Sequence, residues 1–64
     1  MQVGDLYHSE EHGLIIVRQV ALTHQSMAGA GLYKVEFQVV ADGSRWSARI
    51  TRDSFHQRFK SLSL

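Results

Sequence analysis

Sixty-four residues make one domain, and a chain this short buries only about 60% of its unfolded surface. It has no cysteine, which excludes a disulfide framework or a thiolate metal centre, and no apolar run nears the ~18 residues that span a bilayer. Net charge is +1, but Asp5, Glu10, Glu11, Glu36 and Asp42 against Arg18 and Lys34 leave residues 1–44 at −3, whereas Arg45, Arg49, Arg52, Arg58 and Lys60 against Asp53 leave residues 45–64 at +4.

The N-terminal residues lack the basic and long apolar regions of a secretion signal, so the expectation is a soluble, cytoplasmic protein that does not engage membrane. Val3 to His8 reads as a first strand, followed by a polar turn over residues 9–13 in which Gly13 is free to take positive φ. Leu14 to Leu22 reads as a second strand, apolar on both faces at its start (Leu14, Ile15, Ile16, Val17). That pattern predicts burial on both sides or an exposed apolar patch. Residues 24–31, with Met27 and two glycines, form the longest irregular connection.

Residues 33–51 predict a β-hairpin. Asp42-Gly43 between two alternating runs is a strong turn signal, since a two-residue type I′ turn needs positive φ at both positions. That turn pairs Val39 with Trp46, Phe37 with Ala48, Glu36 with Arg49 and Val35 with Ile50. One face then collects Val35, Phe37, Val39, Trp46, Ala48 and Ile50. A slip by one residue would mix the faces. On this reading Trp46 is core, and Trp46→Ala costs roughly 3–5 kcal/mol. Asp53 suits the N-cap of a short helical turn, Ser54 to Gln57 or beyond. Phe55 and Phe59 then share a helical face, or residues 58–64 form a closing strand.

These elements predict an all-β domain over residues 1–64, a five-stranded antiparallel small barrel of SH3-like type with one short helical turn near the C-terminus. Closure removes exposed sheet edges. The alternative is an open sheet with the C-terminal helix on one face. Val3-Gly4-Asp5-Leu6-Tyr7-His8, His12-Gly13, Val35-Glu36-Phe37, Asp42-Gly43-Ser44, Trp46 with Arg49, and Phe55 with Arg58-Phe59 resemble a group of very short bacterial and phage proteins. These open on Gly-Asp-x-Tyr-x-His and close on a Trp-x-Arg strand and an Arg-Phe ending; the usual proline after that strand is missing here. The resemblance implies a small SH3-like barrel of bacterial or mobile-element origin and assigns no catalytic residue.

Chemistry-bearing constellations are sparse. His8 and His12 flank Glu10-Glu11, a set with the donor types for zinc, but the helical His-Glu-x-x-His context is absent. Asp5, His24, Ser26 and His56 suggest an acid–base set, yet no nucleophile elbow surrounds any serine. The chain reads as non-enzymatic and cofactor-free. A protein-binding module follows from the irregular connection with Met27, the apolar second strand and the sheet edges. Its counterpart from another class is a nucleic-acid-binding barrel using Arg45, Arg49, Arg52 and Arg58, with Lys60. Against both stands a merely solvated basic face, and self-association stays open.

Overall fold

The computed structural model describes residues 1–25 and 31–62. Five strands, β1 (Leu6–Ser9), β2 (Gly13–Gln25), β3 (Gly31–Val39), β4 (Arg45–Thr51) and β5 (Phe59–Ser61), are joined by one helix, α1 (Arg52–Arg58), between the last two. All neighbours pair antiparallel, in the order β4-β3-β2-β1-β5. The all-β class, the strand number and the short helix near the C-terminus are as expected.

The expected closure does not occur: β4 and β5 end the sheet without pairing. A three-residue β5 has too little backbone to zip along β4. The helix occupies that side instead and drives Phe55 into the core. The first strand starts at Leu6 rather than Val3, because Gly4 takes φ +94 and residues 2–5 fold into a turn, with Asp5 N donating to Gln2 O (3.1 Å). The helix cap is Thr51, not Asp53: the Thr51 hydroxyl accepts from Ser54 N at 3.2 Å. Asp53 lies in the first turn of α1, where its charge favours the positive end of the helix. The residue 58–64 alternative is realised in part, as β5.

The doubly apolar start of β2 resolves into two faces. Ile15 and Val17 are fully buried, while Leu14 is exposed beside Leu6, Val40 and Leu62. A bulge at Arg18 then shifts the phase, so that Val20 packs against the core and Arg18 faces outward beside Gln38, donating from Nε to its Oε1 at 3.0 Å. The core gathers Tyr7, Ile15, Val17, Val35, Phe37, Val39, Ile50, Phe55 and Phe59. An aromatic column runs through it: Tyr7 meets Phe55 edge-on (4.9 Å), Phe55 stacks on Phe59 (4.5 Å), and Phe59 meets Phe37 (5.4 Å). Burial first, and the Asp5 carboxylate second, push the Tyr7 phenol above its ordinary value.

Candidate functional site

The β3–β4 hairpin departs from its expected register, with consequences for Trp46. Phe37 pairs with Trp46, Val35 with Ala48, Glu36 with Ser47 and Lys34 with Arg49, a slip of two residues from the expected pairing. A two-residue slip preserves the faces, so the apolar set stays together. The turn is correspondingly longer. Val39 N donates to Ser44 O (2.8 Å) and Gly43 N to Val39 O (2.8 Å), which encloses Val40, Ala41, Asp42 and Gly43. Gly43 has φ +74, and no non-glycine residue among those described has positive φ. The type I′ turn is therefore excluded. Asp42 instead spends its carboxylate on the chain ahead, its Oδ1 accepting from Ser44 N (2.9 Å) and Ser44 Oγ (2.7 Å), an Asx-type closure that favours a four-residue loop.

Those bonds extend to the tryptophan. Trp46 Nε1 donates to Ser44 Oγ at 3.1 Å, so indole, hydroxyl and carboxylate form one fastened chain. Trp46 shares the apolar face yet remains 51% exposed, contrary to the expected core position. It lies on the terminal strand, with no further strand beyond to cover it. Behind it is His12, whose ring is 4.9 Å from the indole and 5.3 Å from Phe37. His12 is delivered there by the β1–β2 turn, where His12 N donates to the buried Ser9 Oγ at 3.0 Å. The aromatic column thus surfaces at Trp46.

The Ser44 hydroxyl, then the Ser44 N–H, hold the Asp42 carboxyl below its ordinary value. The fastening is complete above the ordinary carboxylate range and is lost as pH falls through the lowered value. Trp46 is the only tryptophan, so its emission should shift in that acid window before global unfolding, and Asp42→Ala should produce the same shift at neutral pH. Emission that stays flat until the fold melts would show that Asp42 does not position the indole.

The basic residues of the C-terminal third do not form one group. Arg45 and Arg49 share the outer face of β4 and have no acidic partner among the described residues. Arg52 lies at the start of α1 with its guanidinium 5.8 Å from the Tyr33 ring centre. Arg58, at the other end of α1, pairs with Glu11 at 3.3 Å. Lys60 sits on β5 opposite His8. The expected Glu36–Arg49 pair is not made; Glu36 lies 3.8 Å from Lys34 instead, and Lys34 stands directly opposite Arg49. Lys34 shares that outer face, as the strand alternation placed it, and Arg18, which sequence reasoning did not single out, joins it through the bulge in β2. The signal for Arg18 was the break in alternation between Val17 and Val20. Met27 and Ser26 lie outside the described residues.

Two depressions flank these features. One, of about 220 Å³, is lined by Arg18, Glu36, Phe37, Arg45, Trp46 and Ser47. The other, of about 470 Å³, lies between the β1–β2 turn and the end of α1, and mixes Glu10 and Glu11 with Arg58 and Lys60. The Arg58–Glu11 pair spans this second depression and cancels its charge. His8 and His12 do not converge: His8 faces Leu14 and Lys60 across β1, whereas His12 packs on Phe37 and Trp46. Among the described residues no three His, Asp or Glu side chains are grouped to hold a metal, and no helix is long and apolar enough to cross a membrane. No family model, curated protein or solved structure matches the chain.

Proposed function

We propose that this chain is a non-enzymatic interaction module of a bacterial or phage accessory system, an SH3-like small domain that binds a protein partner at Trp46 and the open edge of β4. The observation that carries this reading is the half-exposed indole, fastened by Ser44 and backed by His12 on a strand with one free side. Trp is the residue type most enriched among interface hot spots, and a rigid one binds at low entropic cost. An unpaired strand edge is in turn a ready template for an extended peptide.

The strand order, with a short helix before the last strand, is in keeping with the small barrels named above, as is a role without catalysis in a chain of this size. Nucleic acid is the second reading, favoured by Arg18, Lys34, Arg45 and Arg49 on one outer face. Glu36 dilutes that face, and the exposed aromatic alternates to the opposite side of the strand from Arg45 and Arg49. Of the four cations only Arg18 and Arg45 therefore line the indole's depression, where stacking and phosphate contacts would have to meet.

Trp46→Ala should lower stability by only about 1–2 kcal/mol, against the ~3–5 kcal/mol of a fully buried aromatic. It should abolish capture of the partner from nuclease-treated bacterial lysate. Capture that survives in Trp46→Ala would remove the site from the reading. Capture lost to nuclease, together with oligonucleotide binding whose salt slope falls by about one per arginine removed at Arg45 and Arg49, would establish the nucleic-acid alternative instead.

A further inference from the structure

The geometry points to an extended segment with two acidic side chains four residues apart, bracketing apolar ones, as the occupant of the β4 edge; this rests on the protein-binding reading above and names the partner's chemistry. Along an antiparallel pair, hydrogen-bonded and non-bonded positions alternate. Val39 N donates to Ser44 O and Phe37 pairs with Trp46, so Trp46, Ala48 and Ile50 turn their backbone groups toward β3. Arg45, Ser47 and Arg49 turn theirs to the open side. A strand added there is held by those three residues' N–H and C=O groups.

Its side chains meet two different surfaces. On the outer face they stand opposite Arg45, Ser47 and Arg49, the two guanidinium stems being about 13 Å apart along the strand. Neither arginine has an anionic partner among the described residues. Lys34, directly across from Arg49, is already held by Glu36 at 3.8 Å, so the two arginines are the charges left for the added strand. On the other face the added side chains stand opposite Trp46 and Ala48, which offer apolar area. The matching segment therefore reads acidic, apolar, neutral, apolar, acidic.

A second copy is a poor occupant. Pairing two β4 edges about Ser47 puts Arg45 opposite Arg49 on both sides, and the edge arginines then act as guards against self-pairing. An acidic strand converts the same charges into selection.

The test uses fluorescence anisotropy with two labelled peptides, Gly-Ser-Glu-Val-Thr-Val-Glu-Ser-Gly and its analogue with both Glu replaced by Lys. The full chain should prefer the acidic peptide by roughly tenfold, as expected for two cross-strand charge pairs. The double variant R45E/R49E should reverse the preference. N-methylation of the peptide amides that face β4 should abolish binding to the wild type, which separates strand addition from simple charge attraction. Equal binding of both peptides, sensitive to N-methylation and to W46A, would overturn the acidic selection and leave the edge as a docking site. Binding of neither peptide, or acidic binding indifferent to N-methylation, would overturn the strand-addition proposal; the interaction reading is then decided by the Trp46-dependent capture described above.

Discussion

Phe55→Ala should unfold most of the population at 37 °C. Phe55 is 1% exposed and lies in the middle of the aromatic column, edge-on to Tyr7 at 4.9 Å and stacked on Phe59 at 4.5 Å. Removing a buried Phe costs about 3–5 kcal/mol through lost transfer energy and the cavity left behind. A domain of this size holds roughly 0.05–0.15 kcal/mol per residue in total, so that single loss consumes much or all of its stability. The mechanism is specific to the open sheet. With β4 and β5 unpaired, α1 covers that side of the core, and Phe55 is the buried residue of α1. Urea titration followed by Trp46 emission and far-ultraviolet circular dichroism checks this, with Phe55→Leu expected to lose less than about 1.5 kcal/mol because volume is nearly kept. A Phe55→Ala protein with an unfolding midpoint near that of wild type would mean that the helix is dispensable to the core.

The second large effect is expected at the hairpin turn. Gly43 sits at φ +74, where an L-residue places Cβ against the following carbonyl at a cost of about 1–2 kcal/mol, more for a β-branched side chain. An added Cβ would meet only Gln38 Nε2, at 3.6 Å, so the penalty is conformational strain rather than crowding. Gly43→Val should therefore destabilise by about 2 kcal/mol and loosen the bonds from Gly43 N to Val39 O and from Gln38 Nε2 to Gly43 O (3.2 Å). Gly43→Asn should recover a large part of that loss, since Asn tolerates the left-handed region. Equal losses for Val and Asn would indicate that side-chain bulk, not backbone φ, is what the turn rejects.

These two sites also separate what was legible in the residues from what was not. The alternation of Val35, Phe37, Val39 and of Trp46, Ala48, Ile50 with polar neighbours determined the two faces of the hairpin, because a strand's side chains repeat every two residues whatever they pair with. Asp42-Gly43 marked the turn and put positive φ at Gly43. The pairing itself was decided elsewhere. The Asp42 carboxylate closes on Ser44, the loop becomes four residues long, and the whole register moves by two with the faces unchanged. Arg49 consequently meets Lys34 rather than Glu36, so like charges stand opposite each other where an ion pair was expected.

An all-β chain of five strands, the two faces of its hairpin and a helix start within two residues of the observed Arg52 were legible in the residues alone. Those are properties of local periodicity and capping, which each segment carries alone. That the sheet stays open, that α1 covers the gap and that Trp46 lies half in solvent came from the long-range arrangement of the strands. Burial depends on what lies across from a residue in space, and an apolar face is no guide to which strand ends the sheet. The same step brought His12 beneath Trp46 and Arg18 onto the arginine face, through a turn and a bulge whose long-range partners no local pattern specifies.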